Sequence, residues 1–169
     1  MKDLGLLKYF LGIEVAQNNE GIFLYQRKYT LDIISEVGCL GSKPATFSME
    51  QQQKLALSKQ PLLTDPKRYR RLIGRLIYLL VTHPDLTYDV HVLSQFMQKP
   101  IIDHWDSAMR VVYYLKGTLG QGVFLSSNSD LKLHGWCDSD WGMCTLTRRS
   151  VGGWFITLGI SPVSWRTKK

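Results

Sequence analysis

The 169-residue sequence has no acidic residue after Asp140, only three cysteines, and no long apolar run. A helix needs about 20 apolar residues to cross a bilayer, so a transmembrane helix is excluded and no membrane partner is expected. The odd number of cysteines, without tight pairing, is typical of a reducing compartment rather than of a disulfide-rich secreted domain. No secretory core follows Met1. We therefore expect a soluble intracellular chain without a targeting signal, in a compartment that the sequence does not identify.

The cysteines raise the alternative of a zinc site. His134, Cys137 and Cys144 lie near one another in the sequence, but no fourth ligand follows at a useful spacing. Structural zinc sites take four ligands, so we interpret these cysteines as ordinary strand residues.

Basic residues are in excess, and the formal net charge is +7. Residues 64–169 carry 14 basic and 8 acidic side chains, so the surplus lies in the C-terminal two thirds. Such a surplus suits a polyanionic partner such as nucleic acid, but a solvated Lys/Arg face explains it equally well. The charge balance alone does not distinguish a nucleic-acid-binding surface from a solvated one.

Hydrophobic periodicity predicts an α+β fold. Two β-rich runs, residues 7–15 and 21–26, flank a polar segment and predict a hairpin. Residues 29–37 predict a short helix that Gly38 closes, with Ile33, Ile34 and Val37 inward. Residues 41–64, which include Gln51-Gln52-Gln53, have no clear period and predict a connecting loop.

Three further helices are predicted beyond this loop. Asp65 can cap a helix whose first position is Pro66 and whose apolar stripe contains Tyr69, Leu72, Ile73, Leu76 and Leu80. The next helix runs from Pro84 to about Met97, with Leu86, Val90, Leu93 and Met97 inward. The last runs from Ile102 to Lys116, with Trp105, Ala108, Met109, Val112 and Leu115 inward.

The first of these helices is strongly basic away from its core stripe. At 100° per residue, the opposite face contains Lys67, Arg70, Arg71, Gly74, Tyr78 and Val81, and Arg68 and Arg75 lie along its flank. A solvated face normally mixes both signs of charge, whereas here only Asp65, at the start, is acidic. This imbalance favours a helix that faces a polyanion.

Beyond Gly117 the period becomes two and predicts strands at residues 122–125, 131–137, 153–158 and 163–165. The last two form a hairpin that is long enough to pair with the strand that runs into Asp138. We expect an antiparallel sheet with an acidic residue at a strand end.

Several motifs, in order along the chain, carry a family resemblance. They are Tyr9-Phe10-Leu11-Gly12-Ile13-Glu14-Val15, Tyr69-Arg70-Arg71-Leu72-Ile73-Gly74, His83-Pro84-Asp85-Leu86, Leu93-Ser94-Gln95-Phe96-Met97, Tyr114-Leu115-Lys116-Gly117 and Cys137-Asp138-Ser139-Asp140-Trp141 with Thr147-Arg148-Arg149-Ser150. Over nearly its whole length the chain resembles the polyprotein of copia-type retrotransposons. It is also similar to open reading frames of copia origin in plant mitochondrial genomes.

The resemblance implies a division of the chain. Residues 1–40 would be the end of the reverse transcriptase palm with a primer-grip-like hairpin and a short helix, and residues 41–64 a linker loop. Residues 65–120 would be thumb/connection-like helices, and residues 121–169 the first strands of an incomplete ribonuclease H-like sheet.

The resemblance also assigns nucleic-acid-binding residues. The 66–80 helix would be the thumb helix along the template–primer duplex, with Arg70, Gly74 and Tyr78 at its minor-groove positions. A glycine there lets the backbone approach the duplex, and the cations Lys67, Arg71 and Arg75 can neutralise phosphates without reading sequence. The implied partner is an RNA–DNA hybrid or duplex.

Asp138 matches the first of the four carboxylates that the family's ribonuclease H uses. Two-metal hydrolysis needs several clustered acidic ligands, and Asp140 is a neighbour outside the family's set. The polymerase motif Tyr-x-Asp-Asp does not occur in the sequence. Asp138 is therefore expected to be a vestigial catalytic residue, a magnesium ligand only if missing polyprotein segments complement it, and no cofactor is expected for this chain.

Three functional hypotheses remain open. The chain is a fragment of an RNA-directed DNA polymerase/ribonuclease H that is inactive alone, a non-catalytic module that binds RNA–DNA hybrid, or a transposon remnant without a cellular role. The resemblance favours the first, and the basic helix supports the second.

Overall fold

The computed structural model describes residues 7–50, 55–140 and 150–168 and contains both helices and antiparallel sheets. The predicted α+β class is confirmed. Within these ranges, no helix is both long enough and apolar enough to cross a membrane. Gln51-Gln52-Gln53, Cys144 and Thr147-Arg148-Arg149 lie outside the described residues.

The first sheet has four antiparallel strands in the order β1-β2-β3-β4, which are Tyr9–Phe10, Ile13–Asn18, Gly21–Tyr25 and Gly122–Ser126. The single β run predicted over residues 7–15 is broken, because Leu11 and Gly12 turn the chain with φ of 49° and 80°. The predicted hairpin follows as β2 and β3. Its turn is held by Asn18, whose Oδ1 accepts the N–H groups of Glu20 and Gly21 at 3.0 and 3.1 Å.

Strand β4 departs from the predicted grouping. The division implied by the resemblance grouped residues 122–125 with the C-terminal strands, but β4 pairs with β3, and Phe23 lies opposite Phe124. The pairing is close, since a Cβ on Gly21 would lie only 2.2 Å from the Leu125 carbonyl oxygen. It also satisfies the backbone groups along the second edge of β3. A partner about 100 residues away leaves no local signal in the sequence.

Four α-helices form the core: α1 Arg27–Glu36, α2 Pro66–Leu79, α3 Thr87–Ser94 and α4 Ile102–Gly117. The predicted helix over residues 84–97 is shorter than expected, because Pro84–Leu86 form a separate 3-10 turn. Most predicted inward residues are buried, although at the end of α2 the fully buried residue is Leu79, and Leu80 is half-buried.

The start of α2 follows the sequence signal closely. Asp65 Oδ1 accepts the N–H groups of Lys67 and Arg68 at 3.0 and 3.3 Å, and Pro66 occupies the first helical turn. These hydrogen bonds satisfy backbone N–H groups at the helix N-terminus that have no acceptor within the helix. At the other side of the helix, the Tyr69 hydroxyl donates to the Leu93 carbonyl at 2.8 Å and joins α2 to α3. Burial raises the pKa of Tyr69 above its ordinary value.

The described part of segment 41–64 has little regular structure, as predicted, apart from a 3-10 turn at Leu55–Leu57. It nevertheless packs on the helices. Leu55 is buried, Leu62 forms an isolated bridge with Ile101, and the Ala45 N–H donates to the Tyr113 carbonyl at 3.0 Å.

The second sheet is antiparallel in the order β5-β6-β7, with strands Leu133–Asp140, Val151–Leu158 and Ser161–Lys168. The predicted pairing of the Asp138 strand with the last hairpin is confirmed, and Asp138 lies opposite Gly153. Trp165 Nε1 donates to the Leu80 carbonyl at 2.8 Å, and the Ser126 N–H donates to Ser161 Oγ at 2.9 Å. These bonds tie β7 to α2 and to β4.

Candidate nucleic-acid interface

The outward face of α2 contains an open strip around Gly74. Lys67, Arg70 and Gly74 are all exposed. Apart from the adjacent residues and the backbone of the helix itself, no heavy atom of the described residues lies within 4 Å of a Cβ built on Gly74. Arg70 Nε donates to the Pro66 carbonyl at 3.3 Å, so its side chain lies along the helix surface. Neither Lys67 nor Arg70 forms an ion pair with another described residue. The strip therefore combines unneutralised positive charge with accessible backbone.

Two other predicted binding residues have a carboxylate partner. Glu36 at the end of α1 contacts both, with Arg71 Nε 2.6 Å from Glu36 Oε1 and an Arg75 guanidinium nitrogen on Glu36 Oε2. The Arg71 side chain remains 72% exposed, whereas that of Arg75 is only 22% exposed. Glu36 thus offsets part of the positive charge that the sequence assigned to this face.

Arg75 is held mainly against α1 rather than on the open strip. Its guanidinium carbon lies 5.0 Å from the centre of the Tyr29 ring, and the Tyr29 hydroxyl donates to the Arg75 carbonyl at 3.4 Å. Burial by itself lowers the pKa of Arg75, but hydrogen bonding to Tyr29 and Glu36 outweighs it and raises that pKa. Arg75 stays charged and contributes to the packing between α1 and α2.

Tyr78 joins the two elements that the resemblance singled out. Its hydroxyl donates to the Leu11 carbonyl in the β1–β2 turn, and its ring meets the Tyr29 ring edge-on, with centroids 5.3 Å apart. A Cβ on Gly12 would lie 3.6 Å from Tyr78 Cε1, so the turn and the ring are in close contact. Tyr78 is 36% exposed and anchors α2 to the hairpin.

The partners of these residues were missed by sequence reasoning. Glu36, Tyr29 and Leu11 lie on other elements, 35 to 67 positions from their contacts on α2. Arg68, on the flank, covers Trp105 of α4, with 4.4 Å between its guanidinium carbon and the ring centroid. To predict such contacts from the sequence, one would have to know how α1, α4 and the hairpin pack on α2.

Asp138 is exposed near the end of β5, and its Oδ1 accepts the Ser139 N–H at 2.8 Å. It lines a cavity of about 290 Å³ together with Asp85, Trp136 and Arg166. Asp85 is already engaged, since it accepts from the Tyr114 hydroxyl at 2.9 Å and from Gln121 Nε2 at 2.6 Å. Among the described residues no three His, Cys, Asp or Glu side chains group as metal ligands, so those near Asp138 do not fit a two-metal centre. The side chain of Asp140 lies outside the described residues.

Sequence similarity to known proteins shows the family of this chain. It is 43% identical over 163 residues to the retrovirus-related Pol polyprotein from transposon RE2 of Arabidopsis thaliana, and 40% identical over 169 residues to that from transposon RE1. It is 39% identical over 171 residues to an uncharacterized mitochondrial protein of the same plant. These alignments cover 96% to 100% of the chain. The chain belongs to the copia-type retrotransposon Pol family.

This copia-type chain corresponds to only a small part of the polyproteins. It spans 11% of the RE2 polyprotein and 12% of the RE1 polyprotein, but 70% of the mitochondrial protein. No protein-family model matches the chain, and no solved structure matches it significantly. Because the alignment with the RE1 polyprotein covers the whole chain, α2 and Asp138 both lie in the segment shared with it.

Proposed function

We propose that this chain is a part of a copia-type reverse transcriptase/ribonuclease H region that binds RNA–DNA hybrid through α2 and does not catalyse a reaction on its own. The open strip around Gly74 carries the proposal. A helix of this basicity that leaves a glycine uncovered offers backbone to a ligand surface and cations to its phosphates. No packing contact within the described residues accounts for that glycine.

The proposed binding mode is independent of sequence. Lys67 and Arg70 are free to neutralise phosphates, and Arg71 adds an exposed guanidinium that it shares with Glu36. Phosphate contacts fix the position of a duplex without reading its bases. Tyr78 keeps the helix at a fixed place relative to the β1–β2 turn through Leu11, so the duplex would meet both elements in one orientation.

The proposed lack of catalysis rests on the count of carboxylates. The 169 residues contain no Tyr-x-Asp-Asp motif and no acidic residue after Asp140. Phosphodiester hydrolysis by two metal ions needs a cluster of acidic ligands that Asp138 cannot supply alone. In a complete enzyme, further segments would provide these ligands, and magnesium would then bind there.

Binding is tested by fluorescence anisotropy with a blunt RNA–DNA hybrid at several salt concentrations. The double variant Lys67→Gln, Arg70→Gln should bind more weakly and lower the slope of log affinity against log salt by about one unit per charge removed. The matched control is Lys43→Gln, Lys59→Gln, which removes the same charge from exposed positions in the connecting segment. An equal loss in both double variants would show only a general charge effect and would sink the proposal.

Catalysis is tested with the same hybrid and magnesium. We expect neither primer extension nor hybrid cleavage by the purified chain. Cleavage that disappears in Asp138→Asn would contradict the proposed inactivity, because it would show that Asp138 works within a functional site.

A further inference from the structure

A groove of about 630 Å³ lies between α2, α3 and β7, outside the strip proposed to bind hybrid. Ile77 of α2 and Val81, two residues beyond the end of α2, line it together with Val163 and Trp165 of β7. The three aliphatic side chains are 43% to 50% exposed, although they are apolar. Trp165 is fixed in place by the bond from its Nε1 to the Leu80 carbonyl. The groove therefore contains exposed apolar side chains, and Trp165 is anchored in one of its walls.

The charged side chains that line the groove are basic. Arg166 and Lys168 line it, both exposed, and no Asp or Glu is among its described lining residues. Neither cation forms an ion pair with another residue in the described part of the chain. A polyanion would therefore meet two cations that are not already neutralised.

The groove is also continuous with the open strip of α2. At 100° per residue, Arg70, Gly74 and Ile77 follow one another along a single stripe of the helix, and Val81 lies in the turn just beyond its end. All four are exposed. A strand that runs along Arg70 and Gly74 reaches the groove within two helical turns.

We propose that the groove binds single-stranded nucleic acid that extends from the hybrid held on α2. Unpaired bases expose their apolar faces and can pack against Ile77, Val81 and the Trp165 ring, whereas the bases of a duplex are stacked inside it. Phosphates of the same strand would contact Arg166 and Lys168. The inference rests on the proposed hybrid site for its orientation but adds a second site with a different ligand.

The experiment compares a blunt RNA–DNA hybrid with the same hybrid that carries an oligothymidine or an oligouridine extension. We expect either extension to tighten binding by about fivefold or more, the range that a stacked base can supply. Arg166→Gln, Lys168→Gln should abolish this gain and leave the affinity for the blunt hybrid unchanged. Val81→Glu, which places a carboxylate in the groove at an exposed position, should do the same. Lys59→Gln, Lys132→Gln removes two exposed cations outside the groove and serves as the matched control.

The outcomes separate the two proposals. If the blunt hybrid binds but the extension adds nothing, or adds affinity that both groove variants retain, the groove inference is wrong and the hybrid site stands. If the blunt hybrid does not bind but free oligothymidine binds in a way that requires Arg166 and Lys168, the groove inference stands and the hybrid site is wrong. Binding of polyglutamate in preference to oligonucleotide would assign the groove to an acidic peptide and overturn the inference.

Discussion

Glu36 lies 2.6 Å from Arg71 through its Oε1 and contacts Arg75 through its other oxygen, so one carboxylate on α1 serves two guanidinium groups on α2. This relationship determines how much of the positive charge of α2 is available to a ligand. It also distinguishes Arg71 and Arg75, whose charge is partly offset, from Lys67 and Arg70, which form no ion pair with another described residue.

Replacing Glu36 by glutamine should strengthen hybrid binding. The substitution removes the negative charge that offsets Arg71 and Arg75 and frees the exposed Arg71 for phosphate contact. We expect tighter binding and a log–log salt slope that is steeper by about one unit, for the released Arg71. The measurement is the same anisotropy titration at several salt concentrations.

Glu50→Gln is the control for this prediction. Glu50 pairs with Arg110 of α4 at 2.7 Å, so the control removes the same charge and the same kind of ion pair away from α2. Equal effects of the two substitutions would contradict a specific role for Glu36. Stability should change little in either variant, because exposed ion pairs contribute about 0 to 1 kcal/mol.

Gly74→Ala should stabilise the protein and weaken hybrid binding at the same time. A glycine inside a helix costs about 0.5 to 1 kcal/mol relative to alanine, and the new methyl group would meet open space. The same methyl group would hold a duplex away from the α2 backbone. Denaturant unfolding and hybrid titration measure the two effects separately.

Gly41→Ala provides the comparison, since a Cβ there also meets no atom within 4 Å but lies in the connecting segment. It should leave hybrid affinity unchanged. If Gly74→Ala binds the hybrid as tightly as the parent chain, the glycine has no role in the interface.

The stability of the fold should decrease as the pH falls below about 6.5, and His83 should contribute to this decrease. Burial lowers the pKa of His83 in the folded state, against weaker opposing effects of Asp85 and the Leu79 carbonyl. The unfolded chain therefore binds the proton more readily, so the stability present above the ordinary histidine pKa of about 6.5 is lost as the pH falls toward the lowered value. His104 is also buried with a lowered pKa and should act in the same direction.

Urea unfolding between pH 5 and pH 8 measures this dependence. His83→Asn keeps a polar side chain beside Thr82 Oγ1, which lies 2.9 Å from His83 Nδ1, and should reduce the pH dependence. The exposed His134→Asn is the control and should leave it unchanged. An unaltered pH profile in His83→Asn would assign the effect to other groups.

The parts of the fold with local signals were predicted well. The start of α2 was predicted from Asp65, whose side chain caps the helix, and from Pro66 in the first helical turn. The buried face of α2 was predicted from the helical spacing of its apolar residues. The antiparallel pairing of β6 with β7 followed from period-two runs separated by a short turn. In each case the determining contacts lie within a few residues or within one hairpin.

The contacts of the candidate site could not be predicted in the same way. The periodicity identified Arg70, Arg71, Gly74 and Tyr78 as outward-facing. A residue on such a face can be exposed to solvent, form an ion pair with another element, or pack against one. Only the packing of α1 on α2 places Glu36 against two arginines, and only the β1–β2 turn brings Leu11 to Tyr78. The groove beside β7 likewise depends on how the second sheet meets α2 through Trp165 and Leu80.

The sequence by itself determined the family, the α+β class, the basic helix and the absence of acidic residues after Asp140. These properties depend on residue type and on spacing along one element. The tertiary structure decided that β4 completes the first sheet, that Glu36 neutralises part of α2, and that the strip around Gly74 remains open and leads into a cationic groove. Such properties depend on which distant surfaces meet, and distant surfaces meet through non-local packing that local periodicity does not encode.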